Sequence, residues 1–216
     1  MLAILYTVNM NTWSNRLQSA QNQLSGNDPV LARLITAHGD CRLSPHTNYY
    51  GELVGAIIGQ QLSEKAGATI YKRFLTLFGG KLPTPEQIIA VDTEAVRGIG
   101  CSYSKVSYMK DLAQHIIDGR LDLERIASLP NDEVIQQLTT VKGIGEWSAH
   151  MFMMFSLGRL DILPTGDLGV RKGMMQQYGL SELPKPAQMH ELALKNGWQP
   201  YQSVASWYMW QSLDNQ

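Results

Sequence analysis

The sequence predicts an all-α protein. Three observations carry that expectation. Apolar residues recur at helical spacing along nearly the whole chain, cap and stop signals punctuate these runs, and no segment alternates with the period of two that a half-buried strand needs. The expected architecture is about ten helices with short loops, in two packed lobes with an active-site cleft between them.

The elements follow in order. Asp28-Pro29 supplies an N-cap and a first-turn proline ahead of Val30, Leu31, Leu34 and Ile35, and Gly39 can stop that helix. Leu53, Ile57 and Ile58 suit a buried helix ending near Gly59. Ser63 can cap the next, with Ala66, Ile70, Phe74 and Leu77 on one face until Gly79-Gly80. Thr84-Pro85-Glu86-Gln87 reads as a capping box with proline in the first helical position. Val106, Met109, Ala113 and Ile116 repeat at helical spacing up to Gly119, and Asn131 starts a helix through Val134, Ile135 and Leu138. From Trp147 to Leu157 the chain is apolar nearly all round (Met151, Phe152, Met154, Phe155), which places that helix centrally. Residues 168 to 178, 187 to 195 and 201 to 213 complete the set. The expected division is one lobe from 1–51 with 164–216 and a central lobe from 52–163.

Composition bounds the function. The chain has 216 residues, enough for a full core, and 44% hydrophobic residues, ordinary for a globular protein. No apolar run is long enough to span a bilayer. The start, Leu2 to Val8, is apolar but short and lacks a basic lead, which fits a frayed tail better than a signal peptide. Cys41 and Cys101 are the only cysteines, too few for a disulfide framework or a four-cysteine cluster, and read as two reduced thiols. The five histidines are scattered, with no ligand-like pair on a helix face. The net charge of −1 gives no sign of a protein living on non-specific phosphate attraction, although Lys142, Arg159, Arg171 and Lys172 could build a local basic face.

Two motifs carry chemistry. Val141-Lys-Gly-Ile-Gly-Glu-Trp147 lies between two helices. Its glycines allow a tight turn, and the helix that follows can point unpaired N–H groups at a phosphate; by itself such a segment is more often just a turn. Asp167, ahead of Leu168-Gly169-Val170-Arg171, reads as a helix N-cap that can also face a cleft.

Taken together, these segments resemble the helix–hairpin–helix DNA glycosylase superfamily, and most closely its alkylbase branch of 3-methyladenine DNA glycosylase II type. Leu138-Thr-Thr-Val-Lys-Gly-Ile-Gly-Glu-Trp-Ser-Ala149 is similar to the hairpin, and Leu163-Pro-Thr-Gly-Asp-Leu168 to the segment ending in the catalytic aspartate. Ile58-Gly-Gln-Gln-Leu-Ser63 resembles the loop that enters DNA, and Gly100-x-Ser102-x-x-Lys105-x-x-Tyr108 a second DNA-facing turn. Trp198 to Trp210 resembles the closing helix, so the similarity runs in order from about Asp28 to Trp210. It is to the compact forms that lack an N-terminal β-rich domain.

The resemblance implies hydrolysis of the N-glycosidic bond of alkylated purines in DNA by base flipping, the first step of base excision repair. It implies Asp167 as the catalytic carboxylate, kept ionised with help from a helix N-terminus and Arg171. Trp147, Met151 and Trp210 become a base pocket, although unaided both tryptophans read as core residues; Met151 replaces a tyrosine of the best-known relatives. Gln60 to Ser63 become the wedge, with Gln61 inserting and Leu62 either inserting or in the core. Lys142, Gly143, Gly145, Ser102 and Lys105 become contacts to the DNA backbone, Ser102 and Lys105 reading equally well as an N-cap and a solvated lysine. Backbone carbonyls of Thr139, Val141 and Ile144 could hold a monovalent cation, which side chains cannot report. Lyase-competent relatives carry a lysine where Trp147 stands, so strand cleavage is not expected. No cofactor is expected. The expected partner is double-stranded DNA containing alkylated bases, with no membrane, in a monomer acting in the cytoplasm and nucleoid of a prokaryote or the nucleus of a eukaryote. The alternative is a helix–hairpin–helix module that binds DNA damage without cleaving it. Gly166, where many relatives have another acidic residue, keeps that reading open.

Overall fold

A computed structural model describes the backbone of residues 2–213 and the side chains of residues 12–213. Twelve α-helices and no strand occur among the described residues. In chain order they are α1 (Leu2–Asn27), α2 (Pro29–His38), α3 (Tyr49–Gly59), α4 (Glu64–Leu77), α5 (Pro85–Ala90), α6 (Thr93–Gly98), α7 (Tyr103–Ile117), α8 (Asn131–Thr139), α9 (Glu146–Phe155), α10 (Leu168–Gln177), α11 (Pro186–Lys195) and α12 (Gln202–Gln211). A single 3-10 turn covers Ile126–Ser128. The expected tail at Leu2 to Val8 lies outside the residues whose side chains are described.

The caps explain why so many boundaries fall where the sequence puts them. Asp28 accepts from the Val30 and Leu31 N–H groups, Ser63 from Ala66, and Thr84 from Gln87, whose own side chain returns the bond to the Thr84 N–H. Each satisfies N–H groups that the first helical turn leaves without a partner. Two helices exceed the ten expected. One is α1, whose buried Leu17, Ala20 and Leu24 do follow helical spacing but are thinly spread among Gln, Asn and Ser. The other is α6, only six residues long, capped by Asp92 through the Ala95 N–H.

The chain divides into two compact units, Met1–Ser44 with Gly158–Gln216, and Pro45–Leu157. The bounds expected from the sequence are 51/52 and 163/164, whereas the whole of α3 belongs to the central unit. In the first unit α12 is the central helix. Residues 202 to 209 are all buried, and α1, α2 and α10 pack on it. Asp28 is fully buried there and takes four donors: Oδ1 the two N–H groups of its cap, Oδ2 the Tyr178 hydroxyl and the Trp198 indole Nε1 at 2.8 Å. A buried carboxylate is tolerated only when its lone pairs are met in this way. In the central unit, Val54, Ile57, Ile58, Phe74, Ile88, Val96, Leu112 and Met153 form the core, and α9 is buried along Ala149, His150, Phe152, Met153 and Met154.

Candidate functional site

Both cysteines are free and buried. Burial pushes the Cys41 thiol up to about 12 and raises Cys101 as well, which leaves neither suited to nucleophilic work. Among the described residues, no group of three or more His, Cys, Asp or Glu could hold a metal ion. The chemistry-bearing residues gather in two places, one in each unit.

In the central unit a cavity of about 990 Å³ is lined by Gln60, Gln61 and Leu62 from the loop after α3, by Ser102 and Lys105 from the start of α7, by Gly143 and Ile144 from the hairpin, and by Trp147, Met151 and Phe152 from α9. Nine of the residues singled out in the sequence (Gln60, Gln61, Leu62, Ser102, Lys105, Gly143, Ile144, Trp147 and Met151) therefore share one surface. Trp147 is 48% exposed, which removes it from the core; Met151 is half-buried. Leu62 is 38% exposed, so it too is no core residue, and Gln61 is exposed beside it. Gln61 is the one non-glycine residue with positive φ (58°) among the described residues.

The hairpin is a turn of hydrogen bonds from Val141 N to Leu138 O and from Ile144 N to Val141 O, both 3.1 Å. Gly143 has φ 80°, and a Cβ there would stand 2.1 Å from Cδ2 of the Tyr108 ring, so only glycine fits. Asp111 Oδ2 accepts the Lys142 N–H at 2.8 Å, and the Lys142 ammonium stays 3.6 Å from Oδ1 of the same carboxylate. Gln60 Nε2 donates to the Gly143 carbonyl at 2.7 Å. After the turn, α9 opens on Gly145 with no side-chain cap, whereas α2 to α7 and α10 all have one. Ser102 Oγ accepts the Lys105 N–H as the N-cap of α7, one of the two readings the sequence offered for it. The sequence did not disclose that Lys105, instead of being solvated, donates from Nζ to the Ile58 carbonyl at 2.8 Å and closes the C-terminal end of α3. Thr139, one of the three residues offered for a backbone cation, turns its hydroxyl onto the Ile135 carbonyl, and the Val141 carbonyl already accepts Ile144.

In the other unit Asp167 is the N-cap of α10 and only 9% exposed. Its Oδ1 accepts two N–H groups at 2.8 Å, from Val170 N and from the Trp210 indole Nε1. Trp210 thus grips the carboxylate, a role that a separation of forty-three positions conceals from the sequence. Gly169 makes room for it: a Cβ at that position would lie 2.7 Å from Trp210 Cδ1 and 3.1 Å from Asp167 Oδ1. Arg171 Nε donates to the Pro184 carbonyl at 3.0 Å, tying α10 to the loop ahead of α11.

Residues 54–200 match the family described as HhH-GPD superfamily base excision DNA repair protein. The chain is 37% identical over 202 residues to DNA-3-methyladenine glycosylase 1 of Schizosaccharomyces pombe, covering 91% of this chain and 87% of that protein. Among solved structures it resembles the Schizosaccharomyces pombe 3-methyladenine DNA glycosylase in complex with abasic DNA, with a TM-score of 0.78, 35% identity and coverage of 90% of this chain and 96% of that one. It also resembles a DNA-3-methyladenine glycosidase from Bacillus halodurans, with a TM-score of 0.79, 38% identity and coverage of 91% and 89%. A glycine hairpin feeding an uncapped helix and a capping aspartate gripped by an indole thus lie within a chain that belongs to the HhH-GPD superfamily of base excision DNA repair proteins.

Proposed function

We propose that the protein is a DNA glycosylase of the 3-methyladenine type, which hydrolyses the N-glycosidic bond of alkylated purines in duplex DNA. The observation that carries this is the Asp167 carboxylate, whose Oδ1 is held by two donors, in a chain similar to glycosylases of that name over nine-tenths of its length. These two bonds fix the orientation of the carboxylate through Oδ1.

An alkylated purine carries positive charge and leaves readily. As the bond from C1′ to the base nitrogen breaks, its electron pair goes to the base, which departs neutral, and cationic character moves to the sugar. A carboxylate facing that sugar stabilises the cation and orients the water whose oxygen bonds C1′. In this reading the flipped base rests on Trp147 and Met151, where an indole face attracts a cationic ring by about 0.5–2 kcal/mol. Gln61 and Leu62 fill the vacated stack. The hairpin, with Lys142, Gly143 and Gly145 and the uncapped start of α9, takes a backbone phosphate. Ser102 and Lys105 shape the adjoining surface.

No lyase step belongs to this proposal. An indole at position 147 offers no amine for a Schiff base, so borohydride should trap no protein–DNA adduct. The enzyme acts where the genome lies, in a nucleoid or a nucleus, as a monomer.

The test is release of methylated bases from alkylated duplex by the wild type and by Asp167→Asn. Asparagine remains a good N-cap, so the fold and the affinity for abasic duplex should hold while base release falls at least about a thousandfold, the scale on which electrostatic and acid–base contributions combine. Substantial remaining turnover would remove Asp167 from the catalytic role. Wild-type binding without any base release would favour a damage-binding scaffold.

A further inference from the structure

We propose that Gln60 is a positioning residue that couples the glycine hairpin to the wedge side chain Gln61, so that seating the hairpin on a DNA backbone fixes the wedge in its inserting conformation. This rests on the reading above that hairpin and wedge both face DNA.

Gln60 and Gln61 are neighbours in the sequence but do opposite things. Gln60 ends α3 as its C-cap and is only half-exposed, because its amide reaches across to the hairpin and donates to the Gly143 carbonyl at 2.7 Å. Its side chain is committed and is not the group that enters DNA. Gln61 is exposed and held at φ 58°, a left-handed conformation that a residue with a Cβ keeps only when its surroundings enforce it. The enforcement comes from both sides. Downstream, Leu62 N closes a turn onto the Gly59 carbonyl at 3.1 Å and Ser63 caps α4. Upstream, Gln60 is tied to the Gly143 carbonyl, and Lys105 Nζ holds the Ile58 carbonyl two residues earlier.

The far end of the tie is rigid. Tyr108 packs against the Gly143 Cα with no space for a Cβ, and Asp111 fixes the neighbouring Lys142 N–H. Whatever holds the hairpin therefore holds the Gly143 carbonyl, and through Gln60 it holds the left-handed residue that presents the wedge.

The test is a double-mutant cycle read by fluorescence anisotropy on a duplex containing an abasic site. Gln61→Ala and Gln60→Ala should each weaken binding by about tenfold, and the double variant should lose little more than either alone, since a residue that acts through another has nothing left to position once that other is gone. Gln60→Met keeps the length of the side chain and its neutrality but removes the N–H donor, so it should behave as Gln60→Ala does, and it stands in if the alanine variant unfolds. Losses that multiply to about a hundredfold in the double variant would give Gln60 an independent role and overturn the coupling. Wild-type affinity in Gln60→Ala, or in Gln61→Ala, would overturn it equally. Because the readout is binding, failure of the wild type to release bases would count against the glycosylase reading alone.

Discussion

Replacing Trp210 by phenylalanine keeps an aromatic ring at that position and removes its N–H, so Asp167 Oδ1 would lose the indole donor and keep the Val170 N–H. At 9% exposure the carboxylate has little access to water that could replace the lost donor. A hydrogen bond to a charged group contributes about 1.5–3 kcal/mol, and about 1.4 kcal/mol is a factor of ten, so the rate of base release should fall roughly ten- to hundredfold if the bond orients the reacting carboxylate. The assay is single-turnover release of 7-methylguanine from methylated duplex, with abasic-duplex affinity measured in parallel. Affinity should change by less than about threefold, because an orienting bond acts on the rate. Release within twofold of wild type would refute the reasoning. So would a fall in affinity as large as the fall in rate, which would assign the indole to holding DNA.

Gly169→Ala should reproduce that defect from the other side, since its Cβ would displace the indole, and the two substitutions together should be no worse than either; a rate unchanged in Gly169→Ala would show that the indole accommodates the methyl group. Asp28→Ala removes an N-cap and leaves the Trp198 indole and the Tyr178 hydroxyl without their acceptor, a loss of about 3–6 kcal/mol and so a fall in Tm of roughly 10 °C or more by calorimetry. Cys41 and Cys101 should resist iodoacetamide at pH 8 in the folded protein and react in denaturant; fast labelling of native protein, followed by mass spectrometry, would contradict their burial and raised thiols.

What the sequence disclosed was local. Asp28, Ser63, Thr84 and Asp167 satisfy N–H groups two or three residues ahead, so the chain order alone reveals them, and with them the starts of α2, α4, α5 and α10. The hairpin was legible for the same reason, its glycines standing where the backbone turns. Contacts across long separations were not. Nothing near Lys105 marks it as a partner for Ile58, and nothing near Trp210 marks Asp167. Gln21 in α1 is buried because it serves Cys41 N and the Tyr208 hydroxyl, so a polar letter sits at a core position and blurs the helical period. The candidate residues are therefore named by the sequence, but how they hold one another is not.

The first unit is assembled from segments on either side of the other: α1 and α2 precede it, α10 to α12 follow it, and Asp28 Oδ2 is met by Tyr178 and Trp198. On a ribosome, which delivers the chain from its N-terminus, this has a consequence in time. The central unit, with its hairpin, can be complete while α1 and α2 still lack the helix they pack on. The buried aspartate waits for residues made 150 and 170 positions later, and Asp167 for an indole 43 positions later. On the reading proposed above, a nascent protein would therefore acquire its surface for DNA before its means of cutting the base free, and translation arrested ahead of Trp210 would leave the one without the other.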